Sequence, residues 1–234
     1  MNVSPTTPRS LLDLTSDELD IIMGYVGYKE IQVLRKVCSP LRDYIDQSPM
    51  DSKFDNVRVE ELRSEKIQVW LYYKDKYLII GYQKHPEGCF IEFKSYTEAG
   101  LLVNRSKLLK DVDYATTAGN DLGLILKHQK STLNSLFFEF IEIPEERLTI
   151  ECLQFPAGRL LTSLGTHLQS REFFLPVKSF YFWGNKEELL MKFLPYLKPI
   201  TLESITIHNP LPDDAYLRLK KVFNLDQWKM AKKF

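Results

Sequence analysis

The strongest constraint on the fold is an apolar pattern that recurs through the second half of the chain with the spacing L-x-x-L-x-L-x-x-N. The segment Val177–Asn185 fits this pattern at every position. A partial copy begins 25 residues later at Leu202, and two others begin upstream at Leu133 and, more weakly, at Ile150. A period near 25 residues indicates a repeat in which each unit contributes one strand. The second half is therefore predicted to contain a series of similar strands.

Helical patterns lie between these strands. Leucines at helical spacing run through Pro156–Leu168, and a second apolar helix pattern follows Asn185 and ends before Pro199. A third helix is predicted over Asp213–Phe223. Strands that alternate with helices form a parallel sheet with the helices on its outer side. This half is therefore expected to form a degenerate array similar to a leucine-rich repeat.

The middle of the chain has a different pattern. Short runs rich in β-branched and aromatic residues occupy Lys66–Tyr73, Tyr77–Tyr82 and Gly88–Phe93, with polar turns between them. They predict a short antiparallel β-meander. The charged segment Asp51–Arg63 is interpreted as a connection that precedes this meander.

The first fifty residues predict three short helices. Thr15 and Glu18 have the spacing of a capping box, Gly27 suits a helix end, and Ser39-Pro40 suits a helix start. Helices in so short a segment cannot bury much apolar surface by themselves, and neither paired cysteines nor metal ligands are present to hold them. Their apolar side is expected to be covered by another protein or, alternatively, by the rest of this chain.

The motifs in this region resemble the F-box. The resemblance is carried by Leu14–Leu19, Ile22–Val26 and Leu34–Cys38, with Thr15 and Leu41 standing where the F-box usually has Pro and Trp. It implies binding to the Skp-type adaptor of a cullin–RING (SCF) ubiquitin ligase. The residues that it implies as adaptor contacts are Leu14, Leu19, Ile22, Val26, Leu34, Val37, Cys38 and Leu41.

The second half resembles the FTH domain of the nematode F-box A family. The resemblance is carried by Val177–Phe180, Phe193–Pro199, Leu202–Ile207 and Leu225–Lys232. Together, the two resemblances imply an α/β fold (α+β taken as a whole), in which a three-helix F-box precedes the β-meander and the leucine-rich-repeat-like array. The expected division is a flexible leader at 1–10, an F-box at 11–50 and an FTH substrate-binding domain at 51–234.

Strand alternation predicts which side chains of the repeat are available to a partner. If Phe180 and Phe182 face the core, their neighbours along each strand face the open side of the sheet. Exposed aromatic residues are typical of protein-binding surfaces, although Tyr181 and Trp183 could also pack beneath a loop. The residues predicted to bind a target protein are Phe137, Ser179, Tyr181, Trp183, Ser204, Thr206 and His208.

Composition narrows the function classes. Lys+Arg and Asp+Glu each number 31, so the formal net charge is zero, which argues against a dedicated nucleic-acid binder. Three widely spaced cysteines, no signal peptide and no apolar run long enough to cross a membrane predict a cytoplasmic or nuclear protein. The four histidines are scattered, no catalytic motif is recognised, and neither a metal nor a cofactor is expected.

The function that the resemblance implies is substrate recognition within an SCF ubiquitin ligase, without catalysis by this chain. The expected partners are the adaptor and a target protein, with neither nucleic acid nor membrane. An alternative is a non-degradative scaffold that sequesters or neutralises its partner, for example in defence or as a toxin antidote. An enzyme of unrecognised type is a third hypothesis, which would need a polar pocket with perturbed titratable groups.

Overall fold

The computed structural model describes residues 11–47, 50–62, 65–96, 102–140, 155–184, 186–209 and 218–233. Contacts divide the chain into an N-terminal unit, residues 1–53, and a C-terminal unit, residues 54–234. The predicted leader at 1–10 lies outside the described residues, as does most of the weak repeat copy that begins at Ile150. The division into 11–50 and 51–234 stays a prediction.

The N-terminal unit contains three short helices, which pack around a small apolar core. The first helix begins with a capping box, in which the Glu18 backbone N–H donates to Thr15 Oγ1 over 3.3 Å and the Thr15 N–H donates to Glu18 Oε2 over 2.9 Å. The helices are α1 (Ser16–Tyr25), α2 (Tyr28–Leu34) and α3 (Ser39–Gln47). The buried core side chains are Leu19, Met23, Ile31, Leu41 and Ile45.

Among its described residues, the C-terminal unit is built around a sheet of eight strands, in the order β5-β4-β3-β2-β1-β6-β7-β8. The strands β1 to β5 are antiparallel neighbours, whereas β1, β6, β7 and β8 are parallel. The elements in chain order are β1 (Asn56–Leu62), β2 (Lys66–Tyr73), β3 (Lys76–His85), β4 (Gly88–Tyr96), β5 (Leu102–Lys110), α4 (Tyr114–Lys127), β6 (Leu133–Glu139), α5 (Pro156–Gln169), β7 (Val177–Trp183), α6 (Glu187–Met191), β8 (Ser204–His208) and α7 (Asp226–Met230).

Alternation along the strands determines where the core lies. In β6 and β7, Leu136, Phe138, Phe180 and Phe182 are buried, whereas the residues between them are half-buried or exposed. The ring of Phe193 packs edge-on against Phe138 with 4.9 Å between centroids. The buried face of the sheet also receives α4, which packs on β2, β3 and β4 and against α5.

The helices α4 and α5 approach each other at backbone distance because glycines lie between them. A Cβ atom placed on Gly119 of α4 would overlap the backbone carbonyl of Leu160 in α5, and one placed on Gly123 would overlap the His167 ring. The close contact therefore depends on the absence of a side chain at these two positions.

The fold class predicted from the sequence is wrong. The structure has one mixed, eight-stranded sheet instead of a meander followed by a separate repeat array, and it does not support the assignment of the N-terminal helices as a three-helix F-box. The error lies in Asp51–Arg63, which was interpreted as a connection. Most of that segment is β1, the strand that pairs with both β2 and β6. Its charged side chains Arg58 and Glu60 alternate with the buried Val57 and Val59. A charged composition is typical of a connecting segment, and for that reason the alternation was not interpreted as a strand.

None of the described helices has the length and apolar character needed to cross a membrane.

One acidic side chain lies on the buried side of the sheet. Glu61 follows Val57 and Val59 in alternation, and burial raises its pKa to about 7, although the nearby Arg159 of α5 opposes this shift. Because the folded pKa exceeds the ordinary value of 4.5, protonation of Glu61 favours the folded state. This contribution to stability is complete below pH 4.5 and is lost as the pH rises through 7.

We expect Glu61→Gln to raise the free energy of unfolding at pH 8 by roughly 1–3 kcal/mol and to have little effect at pH 4.5, because the amide removes the cost of a buried negative charge. Urea denaturation across this pH range measures the difference. Glu60→Gln, on the opposite side of the same strand, is the control and should not reproduce the stabilisation at pH 8. An equal slope in Glu61→Gln and wild type contradicts the assignment.

We expect Gly119→Ala to lower the free energy of unfolding by about 1–3 kcal/mol, because the added methyl group forces α4 away from α5. Gly24→Ala in α1 is the matched control, since a Cβ atom there meets nothing within 4 Å and should be neutral or slightly stabilising. Chemical denaturation of both variants tests this prediction, and equal stability of the two would show that the helices do not depend on the glycine contact.

Candidate functional site

The side of the sheet opposite the core carries a continuous row of half-buried and exposed side chains, which we call the open face. All seven residues predicted for target binding lie on it, because register pairs them strand by strand across β6, β7 and β8. The open face also includes residues of β1, β2 and β3 that sequence reasoning missed. Its members are Asn56, Arg58, Glu60, Trp70, Tyr72, Tyr77, Ser135, Phe137, Glu139, Ser179, Tyr181, Trp183, Ser204, Thr206 and His208.

The predicted aromatic residues form a connected group on this face. The ring of Phe137 lies 5.9 Å from that of Tyr181 and 6.2 Å from that of Trp183, measured between centroids. The rings of Trp183 and His208 are 4.6 Å apart. Trp183 is more than one-third exposed, so these rings support one another and still present surface to a partner.

A second aromatic group lies on β2 and β3. The rings of Trp70, Tyr72 and Tyr77 are 5.8–6.4 Å apart between centroids. Alternation within Lys66–Tyr73 was the signal that could have found it, because the buried Ile67, Val69 and Leu71 separate its outward residues.

Arg58 lies in register between Trp70 of one aromatic group and Phe137 of the other, and it forms ion pairs at the centre of the open face. Its guanidinium carbon lies 4.7 Å from the centroid of Phe137, and its Nη2 is 3.0 Å from Glu139 Oε2. It also forms an ion pair with Glu60. One cation, Arg58, therefore lies between the carboxylates of Glu60 and Glu139, so the formal charge of these three side chains is −1.

A row of small polar residues runs beside the aromatic rows. Ser135 donates a hydrogen bond of 2.7 Å to Asn56 Oδ1, and Ser135, Ser179 and Ser204 are neighbours in register. Because these side chains are short, the aromatic rings rise above them. The open face thus combines raised rings with a lower polar strip that can form hydrogen bonds.

The residues predicted to contact an adaptor are distributed differently. Leu19 and Leu41 belong to the buried core of the N-terminal unit, and four others pack partly against that core, namely Leu14, Val26, Leu34 and Cys38. Ile22 is half-buried, whereas Val37 is well exposed. The large exposed apolar side chains of the unit also include Ile21, Tyr25 and Val33, which sequence reasoning missed.

Two titratable groups with shifted pKa values, Cys89 and Asp121, lie on the core side of the sheet. Among the described residues, no group of three or more His, Cys, Asp or Glu side chains could hold a metal ion. Burial and the charges of Asp121 and Asp113 raise the pKa of Cys89 to about 11, so its thiol is protonated at neutral pH. Burial also raises the pKa of Asp121, although the hydrogen bond of 2.9 Å from Tyr82 opposes this shift.

Comparison with known proteins finds a match in the C-terminal third of the chain. Residues 158–234 match the family model of the FTH domain, a protein-interaction domain of F-box-associated proteins. The match begins within α5 and includes β7 and β8, which supply six of the seven predicted target-binding residues. The F-box-like motifs lie outside the matched segment. No curated protein and no solved structure matches the chain.

We expect Phe138→Ala to lower the free energy of unfolding by about 3–5 kcal/mol and Phe137→Ala by only about 1 kcal/mol, because Phe138 is fully buried and Phe137 lies on the open face. Thermal or urea denaturation compares the adjacent pair directly. Equal losses would mean that Phe137 is a core residue and that it is not available to a partner.

Proposed function

We propose that this chain is the substrate-recognition subunit of an SCF ubiquitin ligase, in which the open face binds a target protein and the N-terminal unit binds a Skp-type adaptor. The observation that carries the target half is the cluster of Phe137, Tyr181, Trp183 and His208 rings, most of it within the FTH match. Clustered Tyr and Trp side chains contribute most to the affinity of protein interfaces.

Charge favours a protein over a nucleic acid as the partner of the open face. The face carries Arg58 with Glu60 and Glu139, and the arginine is engaged by both carboxylates. A nucleic-acid site needs a surplus of cations to neutralise phosphates, which this face lacks. Aromatic rings beside serine hydroxyl groups suit the mixed apolar and polar surface of a protein.

The adaptor half rests on the resemblance of Leu14–Leu19, Ile22–Val26 and Leu34–Cys38 to F-box motifs and on exposed apolar side chains. Tyr25 is 87% exposed, and Ile21, Val33 and Val37 are each at least 60% exposed. Several large exposed apolar side chains on one small helical unit are typical of an interaction surface. In this proposal the chain performs no catalysis. It raises the local concentration of the target near the ubiquitin-carrying enzyme.

A non-degradative scaffold is the second candidate. The observation that favours it is the burial of Leu19 and Leu41 in the core of the N-terminal unit, since both were expected to contact the adaptor. A scaffold needs only the open face, through which it would sequester its partner. The two candidates differ in whether the adaptor binds the purified chain.

We expect the wild-type chain to co-purify with a co-expressed Skp-type adaptor, and Val33→Asp/Val37→Asp to weaken this association at least about tenfold, because charge replaces exposed apolar contacts. Tyr181→Ala/Trp183→Ala should keep the adaptor and lose target proteins, as measured by affinity purification with mass spectrometry. Leu124→Asp, at an exposed position on α4, is the matched control and should keep both.

Three outcomes separate the candidates. The scaffold is supported if the wild type binds no adaptor while Tyr181→Ala/Trp183→Ala loses the target proteins. Adaptor binding that survives Val33→Asp/Val37→Asp contradicts the surface proposed on the N-terminal unit. Retention of every partner by Tyr181→Ala/Trp183→Ala contradicts target binding through the open face.

A further inference from the structure

The parallel strands β6, β7 and β8 all begin at one edge of the sheet, and backbone hydrogen bonds bring further segments to that edge. The Leu133 N–H donates to Pro176 O over 3.0 Å, and the Lys198 N–H donates to the carbonyl of Leu175 over 2.8 Å. The C-terminal segment joins them where the Lys232 N–H donates to Glu203 O over 3.0 Å. We call this edge, made of segments 127–132, 171–178, 196–204 and 231–233, the basic edge.

The basic edge is strongly positive although the whole chain has no net charge. Its four segments contain seven Lys or Arg residues and two Glu residues, a net charge of +5. Burial lowers the pKa of His128, and Lys127, Arg171 and Lys130 lower it further, which shows that these cations act on one region. The six lysines of the edge, all exposed, are Lys127, Lys130, Lys178, Lys198, Lys232 and Lys233.

Three large apolar side chains are exposed on the same segments. Phe173 and Phe174 lie in the loop between α5 and β7 and are 72% and 54% exposed. Ile200, in the short turn before β8, is 75% exposed. Most large apolar residues of this unit are buried in its core. Three exposed ones on adjacent turns therefore indicate an interaction surface.

The loop that presents the two phenylalanines is held firmly by Arg171. Its Nη1 donates to the carbonyls of Leu126 and Lys127, the latter over 3.0 Å, and its Nη2 donates to Gln129 O over 2.8 Å. Its Nε donates to Phe173 O over 2.9 Å. This guanidinium satisfies carbonyls at the end of α4 and fixes the loop, so the exposure of the phenylalanines does not result from a loose segment.

We propose that the basic edge binds the surface of an anionic membrane, with Phe173, Phe174 and Ile200 inserted at the level of the headgroups and the lysines in contact with acidic lipids. Aromatic and aliphatic side chains surrounded by lysines are the combination that lies on a lipid interface without spanning it. Each lysine near an anionic leaflet adds to the electrostatic attraction, and several act together.

The residue types favour lipid over the other anionic partners. Nucleic-acid sites place aromatic faces where bases stack, whereas the exposed Ile200 offers aliphatic surface that a base does not use. The only arginine of the edge is engaged by backbone carbonyls, and lysines act as point charges that suit a diffuse anionic surface better than bidentate recognition of a carboxylate. The expected mode is reversible, peripheral and dependent on salt.

Co-sedimentation of the full chain with vesicles tests this proposal, using phosphatidylcholine alone and phosphatidylcholine with about one-third phosphatidylserine, a content at which the surface potential is strongly negative. We expect binding to the anionic vesicles that weakens at high salt. Phe173→Ser/Phe174→Ser and, separately, Lys127→Glu/Lys198→Glu should each reduce the bound fraction about tenfold or more, because insertion and charge attraction are both required.

Matched controls keep the test specific. Leu102→Ser removes an exposed apolar side chain on β5, the strand at the opposite end of the sheet from β8, and Arg105→Glu/Lys107→Glu reverses two exposed charges on the same strand, so both variants should bind as the wild type does. Circular dichroism confirms that each variant is folded. The proposal would be overturned if the chain bound neutral and anionic vesicles equally or bound neither kind. It would also be overturned if the edge variants bound as the wild type does, or if the chain bound single-stranded RNA more tightly than vesicles. None of these variants alters the open face.

Discussion

The parallel pairing of β1 with β6 is the interaction on which the C-terminal unit depends. It joins the antiparallel strands β2 to β5 to the parallel strands β7 and β8 and leaves neither group with a long unpaired edge in the middle of the sheet. Val57 faces Leu136, and Val59 faces Phe138, and all four side chains are at most 1% exposed. The same strand contributes Arg58 to the other side, where it bridges two carboxylates and covers a phenyl ring.

Because of this pairing, the open face is continuous from Tyr77 on β3 to His208 on β8. Cross-strand neighbours on one face of a sheet stabilise each other, and aromatic pairs do so strongly. A face of this kind holds its rings in place before any partner arrives, which lowers the entropic cost of binding. The FTH match covers only part of it, since Phe137 and the rings of β2 and β3 lie upstream. The open face therefore extends beyond the matched segment.

Charge distribution separates two surfaces that composition cannot distinguish. The open face has one cation between two carboxylates, whereas the basic edge has a net charge of +5. The formal net charge of the whole chain is zero, which is close to the charge of the open face but gives no sign of the positive basic edge. Electrostatic fields act over about a Debye length, roughly 10 Å, so local clusters matter more than totals.

The sequence alone determined the local features of this protein. Alternation around Phe180 and Phe182 depends only on neighbouring residues, and so do the helix patterns before β7 and the capping box at Thr15. Only the tertiary structure decided that a charged segment is the central strand and that Leu19 and Leu41 are buried in their own unit. Both outcomes depend on contacts between residues far apart in the chain, whose loop-closure cost and mutual burial no local pattern records.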